Sequence, residues 1–207
     1  MVGYINTTQA IDQTLLLMPY EPIVKLQCAV VLVSFGDHST QRLSLALNKL
    51  GIKHVIMLPH ETPNFIPTHV VLSGGPGHVY ESNHDPMPQW VLDGFFPVLG
   101  VCYGMQLIAH TFGGTVKRMS RREEGPVEVT EMIYGNQEIN FRWMNRYDQV
   151  TSIPLMFTIT GVTSNDHVAS FTDHKKWWAV QYHPESHKHG DLKVLNRFLR
   201  LKSLIVT

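Results

Sequence analysis

The stretch from Phe96 to Val116 leaves few folds open to this chain. Pro97 to Val101 is a short apolar run of the kind that forms a buried strand. From Tyr103 to Phe112 the apolar spacing turns helical, and Gly113-Gly114 stops it. Between them stands Gly100-Val101-Cys102-Tyr103-Gly104, with a glycine two residues before and two residues after the cysteine. Small residues at those positions permit a sharp strand-to-helix turn that pushes the central side chain out of the backbone. Cys102 would then lie at a helix N-terminus, where the dipole and free N–H groups favour a thiolate. A buried cysteine in an ordinary strand–helix unit fits the same local pattern.

Similar units recur upstream. Cys28 to Val33 is a continuous apolar run suited to a strand covered on both faces, and Leu43, Ala46, Leu47 and Leu50 follow at helical spacing with Gly51 as the stop. His54 to Leu58 and His69 to Leu72 read as two further strands. Strands alternating with helices predict an α/β fold, with a mostly parallel, doubly wound central sheet flanked by helices. Ligands of such sheets bind at the carboxyl ends of the strands, which singles out Ser73-Gly74-Gly75-Pro76 and Cys102.

Beyond Lys117 short strand-like runs follow at Val127 to Met132, Glu138 to Trp143, Met156 to Thr160, His167 to Phe171 and Trp177 to Tyr182. They predict a small antiparallel sheet or an extension of the main one. An amphipathic helix from Asp191, with Leu192, Leu195, Phe198 and Leu199 on its apolar face, closes the pattern. Residues 1–25 show no clear period beyond a helical turn around Ile11 to Leu17, and read as an extension before a domain at 26–207.

Composition excludes several classes. The 17 basic and 17 acidic residues cancel, so bulk charge points to neither nucleic acid nor a membrane surface. No run approaches the roughly 20 apolar residues that span a bilayer. Two cysteines make no disulfide framework, and a reducing, cytoplasmic setting is the expectation.

A cysteine nucleophile needs a base, and the base needs an orienting group. Tyr182-His183-Pro184-Glu185 follows the last predicted strand, and residues 183 and 185 of an extended segment project to one side. Glu185 can then hold one nitrogen of His183 while the other faces the thiol. With 12 histidines in the chain, a solvated loop histidine is the competing reading. His187 and His189 beside Glu185 raise a metal reading, but no second ligand cluster stands out, and no metal is expected. Glycines after a strand let backbone N–H groups approach a ligand, so Gly75 with Tyr103 could form an oxyanion hole.

These three motifs, in this order, resemble the class I glutamine amidotransferases. Tyr103-Gly104-Met105-Gln106 after the cysteine is most similar to the branch that serves GMP synthesis. Phe35 to Gln41, Gly77 to Glu81 and Arg122 to Gly125 also resemble that branch, and the resemblance covers roughly residues 27–203. It implies a flavodoxin-like α/β fold and hydrolysis of the glutamine side-chain amide by Cys102, His183 and Glu185. It implies an oxyanion hole from Gly75 and Tyr103, and substrate binding by Gly74, Gln106 and a loop of Asn145, Arg146, Tyr147 and Asp148. No cofactor is implied for this chain. Its ammonia would pass to a separate synthetase, using ATP and magnesium, that aminates xanthosine monophosphate. The alternatives are a stand-alone γ-glutamyl hydrolase and a weakly active regulatory glutamine-binding protein.

In one loop the chain departs from the branch. Where the branch reads Trp-Met-Ser-His-Gly-Asp, this chain has Trp143-Met144-Asn145-Arg146-Tyr147-Asp148. Two large side chains there imply either a partly closed pocket or an Arg146 that contacts the substrate carboxylate. No pyrophosphatase loop of the synthetase half occurs in the sequence.

Overall fold

The computed structural model describes residues 29–36, 38–133 and 135–202. The expected extension at 1–25, the turn around Ile11 and Cys28 lie outside these residues.

Four short strands come first: β1 (Val30–Val33), β2 (His54–Met57), β3 (His69–Leu72) and β4 (Val98–Val101). They are joined through α1 (His38–Lys49), the five-residue α2 (Gln89–Asp93) and irregular segments, and β4 runs into α3 (Tyr103–Thr111). Then come β5 (Thr115–Ile133), β6 (Asn136–Ser152), β7 (Thr158–Thr163), β8 (Val168–Thr172), β9 (Trp177–Val180) and α4 (Leu192–Leu199).

Among the described residues all nine strands form one sheet, in the order β2-β1-β3-β4-β9-β8-β7-β5-β6. The first five in that order are parallel, and the remaining pairings are antiparallel. The antiparallel strands therefore extend the main sheet and do not form a small sheet of their own. The reason is β9, which pairs parallel with β4 on one edge and antiparallel with β8 on the other.

Every residue of β1, β3 and β4 is buried, as continuous apolar runs require when both faces of a sheet are covered. Val31, Val33, Val70, Leu72 and Val98 pack with Met105, Leu107 and Ile108 of α3 on one face. Their neighbours Val30, Leu32, Val71 and Leu99 pack with Leu43 and Leu47 of α1 and Leu195 and Phe198 of α4 on the other. This two-sided packing holds the strand ends rigid at the edge where Cys102 emerges.

The long strands depart most from the sequence expectation. β5 has 19 residues and β6 has 17, far beyond the short runs at 127–132 and 138–143. Their polar stretches stay in register because charges meet across the pair: Arg146 with Glu123 at 2.7 Å, and Arg142 with Glu131. The expected loop at 145–148 is thus the middle of a strand.

Candidate active site

Cys102 sits between β4 and α3 at φ 52°, ψ −104°, a left-handed backbone that a side chain rarely adopts. The flanking glycines make this possible. A Cβ on Gly100 would lie 2.6 Å from the carbonyl of Gly104, and one on Gly104 would lie 2.5 Å from the Leu72 carbonyl oxygen. The turn is pinned by Cys102 N–H to the Val180 carbonyl at 2.8 Å and Gly104 N–H to the Ser73 carbonyl at 3.1 Å.

The thiol is largely buried, facing the Asn145 carbonyl oxygen at 3.7 Å. His183 follows β9, the strand beside β4, and its Nδ1 bonds Glu185 Oε1 at 2.8 Å. The His183 backbone is held by its N–H to the Trp143 carbonyl at 2.9 Å. Burial by itself would lower the His183 pKa. The negative charge on Cys102 and then that of Glu185, with a hydrogen bond from each, outweigh burial and hold it well above the usual histidine value.

Gly74 lies against the imidazole, since a Cβ there would sit 3.3 Å from His183 Cε1. Its N–H donates to Ser39 Oγ at 3.2 Å, so it is not free for a ligand. No acceptor among the described residues takes the N–H of Gly75 or Tyr103. Gly75 also packs tightly, with Phe35 Cβ 2.9 Å and Tyr103 Cγ 3.3 Å from where its own Cβ would be.

The other expected substrate residues are arranged differently from a loop around a ligand. Gln106 is buried, and its Nε2 donates to Gln181 Oε1 at 3.2 Å and the Asp148 carbonyl at 3.4 Å. The Asp148 carboxylate holds His78 Nδ1 and accepts from the Tyr80 hydroxyl at 3.0 Å. The Asn145 side chain accepts from Arg122 at 2.7 and 3.1 Å. Arg146 is buried between Glu123 and His167. Tyr147 is exposed, with the guanidinium carbons of Arg118 and Arg122 each 5.4 Å from its ring centre. The chain's large residues thus build a braced wall beside the thiol.

Sequence reasoning missed Ser39, whose hydroxyl donates to Glu185 Oε1 at 3.0 Å. The signal was a serine in the Phe35–Gln41 stretch after the first strand, but only tertiary contact brings it to residue 185. Only Oε1 of Glu185 is occupied in this way, and no cluster of three or more potential metal ligands occurs among the described residues. A cavity of about 590 Å³ between α4 and β5, β7, β8 and β9 touches none of these groups, although Tyr182 forms part of its wall.

A cysteine on a strained strand-to-helix turn, backed by a buried imidazole and carboxylate at the edge of a parallel sheet, has the geometry of a thiol acyl-transfer enzyme. The comparisons give the class more narrowly. Residues 31–201 match the family model for class I glutamine amidotransferases, and the chain belongs to that family. It is 34% identical over 187 residues to a glutamine-hydrolyzing GMP synthase of Oleidesulfovibrio alaskensis, covering 84% of this chain and 36% of that protein. A namesake from Thermomicrobium roseum is also 34% identical, with 79% and 33% covered. The chain thus spans about a third of the length of these curated relatives. A putative GMP synthase subunit from Thermoplasma acidophilum superposes with a TM-score of 0.73 at 25% identity, covering 83% of this chain and 92% of that one. A Thermotoga maritima glutamine amidotransferase shares the fold, with a TM-score of 0.62 at 20% identity and 76% of each chain covered. Among the described residues no helix is long and apolar enough to cross a membrane.

Proposed function

We propose that this chain hydrolyses the side-chain amide of glutamine and delivers the ammonia to an ATP-dependent synthetase that makes GMP from xanthosine monophosphate. The observation that carries the first half is the Cys102 turn, with His183 and Glu185 aligned behind it. Cys102 Sγ attacks the amide carbon, and the Gly75 and Tyr103 N–H groups receive the developing oxyanion. His183 gives its proton to the leaving nitrogen, so ammonia departs and a γ-glutamyl thioester remains. Water then attacks the thioester as His183 takes its proton, and glutamate leaves as the thiol is restored. Glu185 keeps the imidazole turned toward sulfur throughout.

The partner half rests on the likeness to GMP synthases, including coverage of 92% of the Thermoplasma acidophilum protein. In this reading Arg146 braces the wall through Nε to Glu123 and Nη2 to His167, while its Nη1 stays buried with no partner among the described residues. Asn145 and Asp148 serve substrate binding through the wall they brace, and Tyr147 lines its rim.

Ammonia release from glutamine, with and without a matching synthetase, tests the chemistry. A glutamine-analogue diazo-ketone should label Cys102 and spare Cys28. Label on Cys28, or on both equally, would refute the assignment. Release that no synthetase stimulates would favour a stand-alone hydrolase.

A further inference from the structure

The Glu185 carboxylate is held by one oxygen only. Oε1 accepts from His183 Nδ1 at 2.8 Å and from Ser39 Oγ at 3.0 Å. Oε2 is buried with no partner among the described residues. Apart from the imidazole that it orients, the carboxylate therefore has Ser39 as its one hydrogen-bond donor among these residues. An acid anchored solely by its own histidine could rotate about its terminal bond, and both groups would drift together. Ser39 supplies the outside reference.

The same hydroxyl does a second thing. It accepts from the Gly74 N–H at 3.2 Å, one residue before the proposed oxyanion donor Gly75. Ser39 stands in the first turn of α1 and is buried. A serine within a helix commonly points to solvent or bonds a backbone carbonyl one turn back. Here the hydroxyl instead crosses to the segments after β3 and β9, joining residues 35 and 146 positions away.

Gly74 leaves no slack in this contact, since a Cβ on it would lie 3.0 Å from Ser39 Oγ and 3.3 Å from His183 Cε1. Neighbouring hydroxyls stiffen the frame: Thr40 Oγ1 bonds Ser73 Oγ at 3.1 Å, and Phe35 N–H donates to Ser73 Oγ at 3.0 Å. Helix start, glycine segment and relay thus move as one piece.

We propose that Ser39 is a positioning residue for the amide hydrolysis, holding the Glu185 carboxylate and the Gly74-Gly75 backbone in one frame. The proposal rests on the glutaminase reading given above. Its hydroxyl bonds the acid and the glycine backbone, and Ser39 acts through those two groups.

The test compares Ser39→Ala, Ser39→Thr and wild type. In Ser39→Ala, kcat for glutamine should fall about tenfold or more, the scale of losing one hydrogen bond to a charged group, with KM within about twofold. Ser39→Thr keeps the hydroxyl and should recover most of the rate. Proton NMR supplies the readout that packing alone would not move. The far-downfield signal of the His183 Nδ1–H should shift or broaden in Ser39→Ala and persist in Ser39→Thr. An unchanged kcat in Ser39→Ala, a loss expressed only in KM, or an unmoved Nδ1–H signal would overturn the proposal. Melting curves identify a variant that fails to fold, and Ser39→Cys, close in size but a weak donor, then replaces the alanine. If wild type releases no ammonia from glutamine, the glutaminase reading falls, and the NMR comparison still decides whether Ser39 anchors the relay.

Discussion

The two halves of the sheet place the site's groups by opposite means. In the parallel half the strands that carry them, β1, β3 and β4, are four residues long, apolar and buried throughout. Segments leaving their carboxyl ends, and that of β9, carry Ser39, Gly74, Cys102 and His183. In the β5–β6 ribbon the strands are 19 and 17 residues long, alternate in burial and meet through charged pairs. The ribbon reaches the site chiefly through backbone: the Trp143 carbonyl takes the His183 N–H, and the Asn145 carbonyl faces the thiol. Covalent chemistry tolerates little displacement, and apolar packing on two faces supplies that rigidity. The wall beside it is held by polar contacts that can change without moving the nucleophile.

The largest effect expected from this contrast is on the parallel side. His183→Ala should lower kcat by about 10²–10⁴-fold, the usual contribution of general acid–base catalysis, while Tyr147→Ala on the ribbon should leave kcat within about threefold. Steady-state kinetics on glutamine compare them directly. Equal losses would dissolve the division of labour.

Next comes the ribbon's own core. Arg142 is buried between Glu131 and Asp191, and Glu131 also accepts from the Tyr182 hydroxyl at 2.6 Å. Arg142→Met strands the Glu131 charge, and breaking such a pair typically costs about 3–5 kcal/mol. Urea unfolding should show that loss as a lower midpoint. A midpoint near wild type would mean the ribbon does not depend on its charges.

Gly104→Ala sharpens the comparison from the other side. The added methyl would press on Leu72 backbone, with little room to relax between packed strands. Overpacking of this kind costs about 1–3 kcal/mol. Because the glycine also permits the turn, activity should fall more than stability alone explains. A folded, fully active Gly104→Ala would show that the turn tolerates a larger residue.

The smallest effect concerns pH. The folded His183 pKa is raised, so the stabilisation from its charged form is complete below the ordinary histidine value of about 6.5 and is lost as pH rises beyond it. Thermal stability should therefore decline from neutral to alkaline pH, and His183→Gln should flatten that decline. Melting temperatures across the range measure the difference. An identical slope in both proteins would remove His183 as its source.

Much of this was legible in the chain itself. Apolar runs such as Val30–Val33 and Val98–Val101 can be read as buried strands because burial on both faces admits no polar position. Gly100 and Gly104 mark the turn because any Cβ there collides with backbone, a constraint local enough to show in five letters. His183 and Glu185 stand close in sequence and do meet, but the extended segment expected there ends at Val180 and a turn, closed by the Ser186 N–H to the His183 carbonyl at 3.1 Å, brings them together.

Tertiary structure alone decided the rest. The Asn145–Asp148 stretch reads as a loop in isolation, and cross-strand partners such as Glu123, 23 positions from Arg146, make it a strand. Arg146, a candidate substrate ligand, has its Nε engaged by that partner. Ser39 joins the relay through a bond to Glu185 across 146 positions, which no local pattern encodes. The sequence by itself determined which segments must be buried and where the backbone must bend, since both follow from side-chain size and polarity within a few residues. Which polar group meets which depended on the fold, because a charge or a hydroxyl is satisfied by any suitable partner and only the packed sheet brings one within about 3 Å.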